Sequence, residues 1–129
     1  MKVLGIDYGR AKVGLALGDT NGGLAEPWKV VRVASVDKLI KKLKAEVESE
    51  QIEKIVVGLS EGKMAEETKS FGRRLESALA IPVVFEDETL TTLDAQNFTI
   101  EAGINRQKRK SLEDAYSAAL ILQNYLETF

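Results

Sequence analysis

Asp7 ends an apolar run, Val3-Leu4-Gly5-Ile6, where ionising a carboxylate is costly unless a cation or hydrogen-bond donors meet it. Gly5 and Gly9 flank it, and glycines at that spacing let a backbone, a phosphate or a metal-bound ligand come close. Two further places offer carboxylates: the Glu86-Asp87-Glu88 triplet at the end of another apolar run, and Asp114. Such a set could hold two divalent ions about 3.5 to 4 Å apart, which offsets charge on both sides of an in-line displacement. Each position also has a plainer reading. Asp7 could start a turn by bonding its own backbone, and the triplet could be a solvated strand end. Asp114 follows Ser111 at capping-box spacing, so it could bond the Ser111 amide and favour the helix dipole.

Composition narrows the chemistry further. The 129 residues contain no cysteine and no histidine, which excludes disulfides, thiolate nucleophiles, Ser-His-Asp triads and imidazole-ligated metals. An enzyme built from this chain must work with carboxylates, lysines or hydroxyls. Carboxylates without imidazole suit Mg²⁺ or Mn²⁺, which prefer oxygen donors. A net charge of -2 with 29% charged and 44% hydrophobic residues is ordinary for a globular protein and names no partner. The length suits one domain over residues 1–129. No apolar stretch approaches the roughly eighteen residues of a membrane span, and Met1-Lys2 leads straight into a strand, so the cytoplasm is the expected compartment and no membrane partner is expected.

The elements that must position these acids can be read from periodicity. The opening run, a tight turn at 9–12 and a second apolar run at 13–17 form a hairpin with Asp7 at its mouth. Residues 20–27 read as a polar connection and 28–33 as a third strand, giving an antiparallel meander. Ser35 is a plausible N-cap for a helix over 36–50, with Val36, Leu39, Ile40, Leu43 and Val47 on one stripe. Residues 54–59 look like a buried parallel strand. Met64, Thr68, Phe71, Leu75 and Leu79 mark a second helix, and Pro82 opens a strand over 83–85. A short helix is expected from about Thr91 to Gly103, and a final one begins at Ser111 with Leu112, Ala115, Ala119, Leu122 and Leu126 on one face.

Right-handed crossovers through the first two helices would make the fourth and fifth strands parallel to the first. Their carboxyl ends then lie together, where open α/β sheets place their sites, and Asp7 and the acidic triplet point there. That strand order does not bring Asp114 to the same edge. Between the last two helices, Arg106, Lys108, Arg109 and Lys110 put four positive charges within five residues. The patch could track phosphates or simply face solvent. No aromatic interleaves with it, so base stacking is not indicated.

Taken in order, Gly-Ile-Asp-Tyr-Gly at 5–9, Val-Val-Gly-Leu at 56–59, Asp-Glu-Thr-Leu-Thr-Thr at 87–92, the basic loop, and Asp114-Ala115 with Ala-Ala-Leu-Ile-Leu-Gln at 118–123 resemble the RuvX/YqgF family over nearly the whole chain. These are small RNase H-like nucleases, described both as Holliday junction resolvases and as processors of the pre-16S ribosomal RNA 5′ end. The resemblance implies an RNase H-like mixed sheet of three antiparallel and two further parallel strands, flanked by helices. It implies that Asp7, Glu88 and Asp114 are the catalytic acids and hold Mg²⁺ or Mn²⁺. Arg10, Lys12, Arg106, Lys108, Arg109 and Lys110 would hold the backbone of a structured RNA or branched DNA, and a homodimer is compatible with this. The chain departs from the family at Thr89, where arginine is common, and at Ser60, where proline is common. Two readings of another class remain: a nucleotide-binding domain, since sugar kinases and actin share the Asp-x-Gly hairpin, and a non-catalytic RNA-binding domain.

Overall fold

The computed structural model describes residues 1–59, 62–87 and 112–128. They form β1 (Lys2–Asp7), β2 (Lys12–Asp19), β3 (Ala25–Arg32), α1 (Val36–Glu50), β4 (Lys54–Leu59), α2 (Lys63–Leu79), β5 (Val83–Asp87) and α3 (Glu113–Leu126). The strands make one sheet in the order β3-β2-β1-β4-β5. Short links force β1, β2 and β3 into an antiparallel meander, whereas crossovers through α1 and α2 leave β4 and β5 parallel to β1. This is the mixed sheet expected from the sequence.

Two boundaries differ from expectation. The third strand begins at Ala25 rather than at residue 28 and so contains Pro27. β3 is an edge strand, where a residue without an N–H is tolerated, and the β2–β3 register shifts beside it between Leu15 and Ala16. The last strand runs on to Asp87, so Glu86 and Asp87 belong to the sheet. The expected helix over 91–103 and the basic loop lie outside the described residues.

Alternation along the strands divides the core into two layers. Leu4, Ile6, Val13, Leu15, Ile55 and Val57 face α1 and α2, where they meet Leu39, Leu43, Phe71 and Leu75. The α1 stripe is buried as its spacing predicts, and Ser35 caps the helix by accepting a hydrogen bond from the Lys38 amide at 3.2 Å. Truncating fully buried Leu43 or Leu75 to alanine would cost about 2–5 kcal/mol.

The opposite face carries smaller residues. Val3, Ala16 and Val56 meet Ala118, Ala119, Ile121 and Leu122 of α3. A Cβ on Gly5 would fall 2.8 Å from Leu122 Cβ and 2.9 Å from the Ala118 carbonyl oxygen, so glycine is what lets α3 lie this close to the sheet. α3 packs across β1, β2 and β3. Its burial is wider than the single face expected and includes Tyr116, Ser117, Ala118 and Ile121. Its C-terminal half is pinned by Gln123, whose Oε1 accepts from the Ala25 amide at 2.9 Å while Nε2 donates to the Gly23 carbonyl at 2.8 Å. Among the described residues no helix is long and apolar enough to cross a membrane.

Candidate functional site

Asp7 is the last residue of β1 and pairs across the antiparallel ladder with Gly14 of β2. Strand alternation puts it on the same side as Val3 and Gly5, the side covered by α3. At Gly14 the helix comes closest: a Cβ built there would lie 1.9 Å from the carbonyl oxygen of Asp114 and 2.7 Å from the Ala115 amide nitrogen. Any side chain at position 14 would force the start of α3 away. Gly14 therefore brings Asp7 and Asp114 to one corner, which strand order alone did not supply.

The local structure also revises the capping reading of Asp114. The residue preceding α3 is Leu112, which makes no side-chain cap, and the first helical bond runs from the Tyr116 amide to the Leu112 carbonyl at 3.0 Å. A capping-box acid would stand at the third helical position, but Asp114 is at the second. In that first turn it still favours the positive end of the helix dipole. Ser111 lies outside the described residues. Asp114 Oδ2 is shielded from solvent and, among the described residues, accepts no hydrogen bond. The Lys12 ammonium stands 3.2 Å from it, close enough for charge attraction but off the angle of a hydrogen bond.

The acidic triplet is divided by alternation. Val84 packs into the α3 layer, which places Glu86 on that face as well. Phe85 and Asp87 take the other side, where the Phe85 ring lies over Gly72 of α2. The register pairs Glu86 with Gly58, and the β1–β4 ladder, which pairs Ile6 with Val57, brings Gly58 level with Asp7 at its next step. Glu86 and Asp7 thus share one row on one face, with a glycine between them. Glu88 lies outside the described residues, as do Thr89 and Ser60. Among the described residues no three acidic groups are gathered closely enough to hold an ion.

The expected phosphate contacts are partly engaged within the protein. Arg10 Nε lies 3.0 Å from Glu67 Oε2 of α2, although the arginine is 72% exposed. Next to it the Tyr8 ring stacks on Phe71 with centroids 4.2 Å apart. Burial pushes the Tyr8 hydroxyl above its ordinary pKa, and the nearby Glu67 carboxylate adds to the shift. Arg106, Lys108, Arg109 and Lys110 lie outside the described residues. Sequence reasoning missed the seat of α3 at Gly14 and the Glu67 partner of Arg10. A glycine inside an apolar strand is the signal that could have found the first.

A divalent cation fits this corner on two grounds. The donors are carboxylate oxygens, the type Mg²⁺ and Mn²⁺ prefer, and one of them is buried without a hydrogen bond from the described residues. The second is that the seat at Gly14 fixes the start of α3 beside the end of β1, where Asp7 stands.

A family model described as RuvX: Holliday junction resolvase matches residues 1–128. A protein of Caldanaerobacter subterraneus subsp. tengcongensis, named as a pre-16S rRNA nuclease, is 39% identical over 99% of this chain and 97% of its own length. One from Listeria innocua with the same name is 37% identical over 99% of both chains. In shape, the chain is similar to Thermus thermophilus RuvC bound to a Holliday junction substrate, with a TM-score of 0.65 at 16% identity over 99% of this chain and 94% of that one. It is also similar to the fowlpox virus Holliday junction resolvase, with a TM-score of 0.67 at 9% identity over 99% of both chains. At these identities the two structures establish the shared RNase H-like fold.

Proposed function

The chain belongs to the RuvX family, and from that premise we propose that it is a divalent-metal-dependent endonuclease that hydrolyses phosphodiester bonds in the 5′-end processing of pre-16S rRNA. The observation that carries the reading is the convergence of Asp7 and Asp114 on Gly14 at the carboxyl end of β1. Asp7, Glu88 and Asp114 would hold Mg²⁺ or Mn²⁺. Bound there, such ions activate water and stabilise the leaving oxygen. The protein's own part is to fix the donors. β1 sets Asp7 on the α3 face, Gly14 admits the first turn of α3, and the helix presents Asp114 from a rigid element. Arg10, Lys12, Arg106, Lys108, Arg109 and Lys110 would contact the phosphate backbone, which orients substrate without reading its sequence. The RNA assignment rests on the name shared by full-length relatives. A second reading, resolution of four-way DNA junctions, is favoured by the description of the family itself.

The test is cleavage of a pre-16S rRNA 5′ fragment and of a four-way DNA junction with Mg²⁺, Mn²⁺ or EDTA, using wild type, Asp7→Asn and Glu88→Gln. The reading expects metal-dependent RNA cleavage, abolished by EDTA and by either substitution in folded protein. Junction cleavage without RNA cleavage would transfer the assignment to the second reading. Folded wild type that cuts neither substrate with metal present would overturn both.

A further inference from the structure

Asp114 Oδ2 is a carboxylate oxygen withdrawn from water and without a hydrogen bond from the described residues, a costly state unless a cation is at hand. Among the described residues that cation is Lys12, with Nζ 3.2 Å away. Lys12 opens β2 and is two residues from Gly14, so alternation gives it the same face as the glycine seat. Its side chain remains 54% exposed, and the flexible four-carbon stem can swing the ammonium back into solvent without disturbing the strand. Arg10, the other cation of this turn, is held by Glu67 instead.

We propose that Lys12 is the resident counter-ion of Asp114, a positioning residue that holds the carboxylate in place and must yield Oδ2 when a divalent cation binds. The inference rests on the metal-site reading given above. It explains why an acid with a buried oxygen can be preformed in the protein alone. Lys12 and the divalent cation then compete for one oxygen, so removing the ammonium tightens metal binding while loosening the metal-free protein.

Mn²⁺ affinity, measured by titration calorimetry on the full chain, and melting temperature in EDTA test this with Lys12→Gln, Lys12→Arg and the control Arg10→Gln. Lys12→Gln should bind Mn²⁺ about two- to fivefold more tightly than wild type, the range of a partly exposed ion pair, and melt lower in EDTA. Lys12→Arg keeps the charge and should bind no more tightly than wild type. Arg10→Gln, whose charge is already engaged by Glu67, should change affinity less than Lys12→Gln. A purely structural lysine would lower the melting temperature and leave Mn²⁺ affinity where it was. Affinity of Lys12→Gln equal to or weaker than wild type overturns the inference alone, as does tighter binding by Lys12→Arg if Lys12→Gln does not fold. No Mn²⁺ binding by wild type removes the metal site and this inference together.

Discussion

A Cβ at Gly14 would lie 1.9 Å from the carbonyl oxygen of Asp114, so the start of α3 rests directly on the backbone of β2, opposite Asp7. Gly14→Ala must therefore move the helix or the strand. Overpacking of this kind costs about 1–3 kcal/mol, which lowers the melting temperature of a domain this size by roughly 5 °C or more. Gly22→Ala has open space around its Cβ and should stay within about 0.5 kcal/mol of wild type. Thermal melts of both variants check the contrast. Equal stability would mean that α3 is not seated on Gly14.

Replacing Asp114 separates its two contributions. As a first-turn acid it supplies about 0.3–1 kcal/mol through the helix dipole, and its ion pair with Lys12 up to about 1 kcal/mol more, so Asp114→Asn should lose no more than roughly 2 kcal/mol in a urea titration. As a metal-holding acid it should lose hydrolysis by on the order of 100-fold or more. Full turnover by a folded Asp114→Asn protein would remove the residue from the chemistry.

The basic loop is tested by salt. Replacing Lys108, Arg109 and Lys110 with glutamine should weaken RNA and junction DNA alike, since phosphate contacts carry no sequence information. The slope of log affinity against log salt should flatten by about 0.7–0.9 for each side chain that reaches a phosphate. An unchanged slope would return the loop to solvent.

Gln123 bridges the Gly23 carbonyl and the Ala25 amide, tying α3 to the β2–β3 turn. Gln123→Ala leaves both partners without their bonds and should cost about 1–3 kcal/mol. The clamp lies at the far end of α3 from Asp114, so hydrolysis measured well below the melting temperature should be retained. Loss of activity with unchanged stability would contradict this division of roles.

The alkaline limit of stability should involve tyrosine. Burial raises the hydroxyl pKa of Tyr8 and of Tyr116 above the ordinary value of 10.0. The unfolded chain then gives up these protons at lower pH than the folded one. Their contribution is complete below about pH 10 and is lost as pH rises through the folded pKa. Tyr8→Phe should flatten the fall in melting temperature above pH 10 and leave the neutral range nearly unaltered. An unchanged alkaline profile would show that Tyr8 does not titrate with unfolding.

The sequence alone determined what periodicity and short-range sterics control. Apolar runs at β1, β2 and β4, the stripe of α1 with its Ser35 cap, and the crossovers that set β4 and β5 parallel to β1 were all legible there. The absence of histidine and cysteine likewise limits the chemistry to carboxylates, lysines and hydroxyls. Tertiary structure decided how distant segments meet. The start of α3 meets Gly14, the ladder partner of Asp7, because Gly14 lacks a side chain, a close approach between residues a hundred positions apart that no local pattern encodes. Glu86 joins Asp7's face and Asp87 leaves it, because β5 continues past residue 85 and alternation then sorts neighbours onto opposite sides. The ion pairs of Lys12 with Asp114 and Arg10 with Glu67 depend on the same packing, since each joins a strand or turn to a helix placed by a separate part of the core.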